Sequence, residues 1–91
     1  MDAPDTLQLA PAIDLATIGA VRRDLLERRG ADLTIDAGAV EKIGGQGVQV
    51  LLAAQSAWEV DGKGLAFINA SPAFLENLRL TGASSLLELC R

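Results

Sequence analysis

The sequence has no histidine, no tyrosine, one cysteine, one tryptophan and two phenylalanines, and each scarcity removes a class of chemistry. Without an imidazole, the side chain most often used as a general base near neutral pH is missing, and a serine nucleophile would have no such partner to activate it. Cys90 stands alone, so it has no partner for an internal disulfide or a thiolate metal cluster, and a metal site would have to draw on scattered carboxylates. The acids Asp36, Glu41, Asp61 and Glu88 fall on separate predicted elements, with nothing to pair them as acid and base. A protein that is not an enzyme and needs no cofactor is therefore expected. The few aromatics leave no stacking platform for bases. Eight basic against twelve acidic residues, a formal charge of −4, oppose nucleic acid or an anionic membrane as the main partner. No apolar run approaches the roughly 18 residues that span a bilayer and no charged-then-apolar leader opens the chain, so a cytoplasmic protein without membrane insertion is expected.

What is present is aliphatic. Ninety-one residues, 49% of them hydrophobic and mostly Leu, Ala, Val and Ile, suit one domain with a single core. Ordering that chain costs on the order of 140 kcal/mol at roughly 1.5 kcal/mol per residue, which apolar burial must largely offset. Residues 1–5, with two acids and Pro4, show no periodicity and are expected to form a loose lead-in to a domain over 6–91.

From Thr6 the pattern alternates through Ala10 as a strand does, and Pro11 closes it. Asp14 is the expected N-cap of a helix whose apolar stripe is Leu15, Ile18, Val21, Leu25 and Leu26, with Gly30 as its stop. Arg22, Arg23, Arg28 and Arg29 then form an outward face of that helix, expected to be solvated rather than to grip phosphate. Leu33-Thr34-Ile35 is a second strand ending in Asp36. After Gly44-Gly45-Gln46-Gly47, the residues from Val48 to Trp58 are apolar enough to predict a largely buried helix. Asp61-Gly62-Lys63-Gly64 turns the chain into a strand over Leu65–Ile68. Ser71-Pro72 is an N-cap and first-turn proline for a helix with a stripe of Phe74, Leu75, Leu78 and Leu80, stopped by Gly82. Leu86–Leu89 reads as a last short strand. The order strand, helix, strand, helix, strand, helix, strand predicts an α/β fold: a mixed or mostly parallel sheet of about four strands packed by about three helices.

The segment Leu33 to Leu52 resembles the signature region of STAS domains, the family that includes the anti-sigma-factor antagonists. Members carry a stretch of the form Asp-x-x-x-Val-x-x-Ile-Asp-Ser-Ser-Gly-Leu, and Asp36, Val40, Ile43 and Gly47 fall into register with it. Asp61-Gly62, the strand to Ile68, Ala70–Phe74, Leu80-Thr81-Gly82 and Leu87-Glu88-Leu89 continue the likeness over roughly residues 6 to 90. In texture the chain is similar to small single-domain STAS proteins found with bacterial chemotaxis proteins. The resemblance implies a STAS-like α/β fold and a protein-binding signalling role toward a kinase or ATPase-type partner. It also implies that the position a partner kinase would phosphorylate is held here by Gly45, which has no hydroxyl. A second relative type without the acceptor serine is the STAS subunit that binds the ATPase of a phospholipid-transporting ABC system. Ser56, in the same helix, lies about 15 Å further along it at 1.5 Å per residue, and Thr34 suits its strand, so neither replaces the missing acceptor.

The candidate partner-binding residues are accordingly Gly44, Gly45, Gln46, Gly47 and Gln49. Two uses of the glycine segment stay open: unpaired N–H groups at a helix start receive an anion or a partner's carboxylate, or the glycines only permit a tight connection. The segment does not match a nucleotide-binding P-loop, since no Lys followed by Ser or Thr stands after the glycines. Gln46 is a partner contact or a solvated amide. Trp58 is expected in the core, with an interface anchor as the other use.

Overall fold

The computed structural model describes residues 5–90. Its elements are β1 (Asp5–Gln8), β2 (Ala12–Ile13), α1 (Ile18–Glu27), β3 (Leu33–Asp36), β4 (Lys42–Ile43), α2 (Gly45–Asp61), β5 (Leu65–Ile68), α3 (Pro72–Leu80) and α4 (Ser84–Leu87). Met1 to Pro4 of the expected lead-in lie outside the described residues, and Asp5 already pairs in β1.

Three strands form a parallel sheet in the order β1-β3-β5, with Leu7 opposite Ile35 and Ile35 opposite Phe67. Because side chains alternate across a strand, this register stacks Leu7, Leu33, Ile35, Leu65 and Phe67 on one buried face, while Thr34, Asp36, Ala66 and Ile68 on the other stay partly exposed. Phe67 and Phe74 are fully buried, with ring centroids 5.5 Å apart, and this contact joins the sheet to α3. The expected α/β class and parallel sheet are thus present, and α3 starts as its sequence signals: Ser71 Oγ accepts the Phe74 N–H at 3.1 Å, ahead of Pro72.

Several local expectations are corrected. The loops flanking the sheet form a second, two-stranded parallel pair, β2 with β4, in which Ala12 faces Lys42 and Ile13 faces Ile43. Two residues are too few to show alternation, so no periodicity marks them. Helix α1 begins after Thr17, not after Asp14. Asp14 instead folds a turn: its Oδ1 accepts the Ala16 N–H at 2.9 Å and its own N–H donates to Thr17 Oγ1 at 3.0 Å. Leu15, placed in that turn, is 78% exposed, and Leu26 is 56% exposed, which leaves Val21 and Leu25 as the buried stripe of α1. Leu80 likewise points outward at 71% exposure, while Phe74 and Leu78 carry the α3 core contact.

The C-terminal Leu-Leu-Glu-Leu segment is not a strand. Leu86 is swallowed by the core as part of α4, and the chain meets the sheet only afterwards, where Leu89 C=O accepts the Phe67 N–H at 2.9 Å and Cys90 bridges Phe67. A run without alternation carries no strand period, and one turn of helix buries its leucine more completely.

Helix α2 starts at Gly45, three residues before the apolar run, and ends where Gly62 takes a left-handed conformation, φ 69°. It is less buried than its composition suggests: Val48, Leu51, Ala54 and Trp58 face the core, while Gln46, Gln49, Ala53, Ser56 and Val60 are exposed. Its far end is tied to the turn that follows α1 by a two-pronged ion pair, Arg29 Nε to Asp61 Oδ2 at 3.0 Å and Nη2 to Oδ1 at 2.9 Å. The hydrogen bond from Arg29 is the main cause that holds the Asp61 carboxyl below its ordinary value, against a smaller opposing effect of burial. A carboxyl with a depressed folded value adds stability that is present above about pH 4 and is lost as pH falls through that value. The native chain is therefore expected to be more stable than Asp61→Asn at pH 7, with the two urea midpoints converging as the solution is acidified below pH 4.

Candidate functional site

The glycine corner is assembled by the small β2–β4 pair. Ile13 and Ile43 lie side by side in parallel register, and Ile13 C=O accepts the Gly44 N–H at 3.1 Å, which fixes the chain just before α2. Gly44 is the N-cap in extended conformation, and its C=O accepts the Val48 N–H at 3.1 Å. No side chain caps this helix start, so the first-turn N–H groups point toward the surface with no intrahelical acceptor.

The glycines of this corner have different jobs. A Cβ on Gly47 would stand 2.8 Å from Ile13 Cγ2 and 2.8 Å from Ile43 Cγ1, so this buried glycine lets α2 pack directly on the β2–β4 pair. A Cβ on Gly45 would meet nothing within 4 Å. Glycine at 45 is thus not demanded by packing, and a side chain there would project into open space. Of the five expected site residues, Gly44, Gly45, Gln46 and Gln49 are exposed and adjacent on one turn, whereas Gly47 forms the floor beneath them.

Two neighbours come from elsewhere in the chain. Asp14 and Leu15, in the turn before α1, line the same shallow concavity of about 220 Å³ as Gly44 to Gly47. Sequence reasoning assigned both to α1; the only available signal was an aliphatic residue next to a turn-forming Asp. Their presence narrows the chemistry. Asp14 brings an acid to the lining of this concavity, which opposes a free anion as its occupant. The exposed Leu15, the glycine backbone and the two glutamines offer apolar and neutral hydrogen-bonding contacts, which suit a protein surface.

The signature residues in register are structural, and only Ile43 and Gly47 lie at the corner itself. Asp36 Oδ1 accepts the Gly38 N–H at 2.9 Å and its Oδ2 accepts from Asn69 Nδ2 at 3.3 Å, which closes the turn after β3. Val40 is buried, and its C=O accepts the Ser71 hydroxyl at 2.6 Å, joining the loop to α3. Ile43 and Gly47 make the floor just described.

Elsewhere, Asp61 is engaged by Arg29, and burial pushes the Cys90 thiol up, away from thiolate. Among the described residues no group of three or more His, Cys, Asp or Glu is placed to hold a metal ion, and no helix is long and apolar enough to cross a membrane.

A parallel sheet with helices packed on its buried face and a glycine corner at the start of α2 defines a small α/β domain. The family model described as "Mlab, STAS domain" matches residues 1–88, and the chain belongs to the STAS domain family. STAS domains generally mediate protein–protein interaction and are non-catalytic. No curated protein and no solved structure matches the chain.

Proposed function

We propose that this protein is a non-catalytic adaptor of bacterial signal transduction, of the kind that accompanies chemotaxis proteins, and that it offers Gly44, Gly45, Gln46 and Gln49 to a kinase or ATPase-type partner. The observation that carries this reading is Gly45: it is exposed, with open space where a side chain would stand, on the turn that the anti-sigma-factor antagonists use for their serine. Without a hydroxyl there, partner binding cannot be toggled by phosphate at that position. The domain then behaves as a permanently unphosphorylated antagonist, and control passes to its abundance or to the state of the partner.

The open space makes a clean test, because a charge can be added at 45 without disturbing the core. Tagged native chain and Gly45→Asp are used to capture partners from the native host and compared by quantitative mass spectrometry. A kinase or ATPase-type protein is expected on the native chain and at least tenfold less of it on the variant, with unchanged circular dichroism. Equal capture by a folded variant removes the corner from the interface.

A second reading, the subunit that binds the ATPase of a phospholipid-transporting ABC system, is favoured by the same missing hydroxyl, since a permanent complex needs no switch. A stoichiometric ATPase in every preparation supports it; salt-sensitive, substoichiometric capture supports the adaptor.

A further inference from the structure

The geometry points to a second docking surface, the groove between α1 and α2, shaped for an amphipathic helix of a partner protein whose apolar stripe is bordered by carboxylates. It lies outside the glycine corner: Ala53, on its floor, is eight residues along α2 from Gly45, roughly 12 Å away at 1.5 Å per residue.

The composition of α2 is the first observation. No charged residue stands between Gly45 and Trp58, and a helix apolar on nearly all sides is normally enclosed. Here Ala53 is exposed and Val50 and Ala57 are only half-buried, and across from them Leu26 of α1 is 56% exposed. Together these line a cavity of about 240 Å³. That is below the roughly 300–1,000 Å³ of pockets that enclose small molecules, but it fits side chains entering from a helix laid in the groove, the mode in which residues at i, i+3, i+4 and i+7 act as anchors. The alanines allow close approach of the incoming backbone.

Charge selects among such helices. Arg22, Arg23, Arg28 and Arg29 supply half of the eight basic residues within eight positions of a chain whose net charge is −4. Arg22 and Arg29 border the groove. Arg29 is held by Asp61, whereas Arg22 and Arg23 make no ion pair among the described residues. An acidic flank would find Arg22 available, and a basic one would be repelled; such complementarity sets partner choice and encounter rate more than raw affinity.

Two synthetic 18-residue peptides test this: one with a leucine stripe flanked by glutamates on an alanine background, the other with every glutamate replaced by lysine. Trp58, the sole tryptophan, lines the groove and reports binding by fluorescence, with amide shifts in NMR spectra locating it. The acidic peptide is expected to bind at least tenfold more tightly at low salt, with shifts centred on Leu26, Ala53 and Ala57. Arg22→Glu should reverse the preference and Ala53→Asp should reduce binding at least tenfold, both with unchanged circular dichroism, while Gly45→Asp should leave it unaltered. Equal affinity for both peptides, no saturable binding of the acidic one, or shifts centred on Gly45 to Gln49 overturn the proposal. So does a dimer in sedimentation that Ala53→Asp returns to monomer, because the groove then takes a second copy. Shifts centred on Gly45 to Gln49 would move the peptide to the glycine corner; the other outcomes leave that corner to the capture experiment with Gly45→Asp.

Discussion

Trp58→Ala is expected to lower stability by about 3–5 kcal/mol. The indole is 2% exposed near the far end of α2, and its Nε1–H donates to the Ala31 C=O at 2.9 Å, so one side chain both fills the core and pins the loop before β3. Truncation opens a cavity beside the α1–α2 groove and leaves that carbonyl to water. Against a total of about 5–14 kcal/mol for a domain of this size, the loss is a large share. Urea denaturation followed by circular dichroism at 222 nm measures it without relying on the missing fluorophore. Trp58→Phe, which keeps an aromatic ring but not the donor, should give up the roughly 0.5–1.5 kcal/mol of the hydrogen bond together with a smaller packing loss. A cost for Trp58→Ala below about 1 kcal/mol would mean that α2 is not anchored by this residue.

Gly47→Val should cost toward the upper end of the roughly 1–3 kcal/mol typical of overpacked sites, because the new Cβ alone would stand 2.8 Å from both Ile13 and Ile43 and two further methyls follow it. Valine recovers only a few tenths of a kcal/mol in helix propensity over glycine, which does not offset a clash with two buried isoleucines. Gly45→Ser, two residues away, has nothing within 4 Å to meet and should stay within about 0.5 kcal/mol of the native chain. The pair of melting curves thus separates a glycine required by packing from one whose absence of side chain concerns the surface. Similar curves for the two variants would contradict the geometry of the corner.

The contrast between these two glycines explains what could be read in advance. Register with the family's signature aligned Asp36, Val40, Ile43 and Gly47; Ile43 and Gly47 pack together beneath the corner, while Asp36 closes the turn after β3 and the Val40 C=O accepts the Ser71 hydroxyl. Asp14, by sequence, suits a helix cap because Asp before an apolar run is a common cap, yet Thr17 precedes the helix and Asp14 bends the turn that brings Leu15 to the site. Leu26 and Leu80 extend the apolar stripes of their helices in sequence, but each lies at the margin of its stripe, where a small domain has no second layer to cover it.

Residue order alone determined the α/β class, the three strands β1, β3 and β5, the main helices and the capped start of α3, since those depend on periodicity and caps within a few positions: Leu33 and Ile35 alternate, and Ser71 precedes Pro72. Tertiary structure decided the pairing of β2 with β4, the helical form of Ser84–Leu87 and the exposed side of α2. The two short segments depend on partners distant in the chain, Ile43 for Ile13 and α2 for Ser84–Leu87, and have too little local preference to resist whichever burial that partner offers.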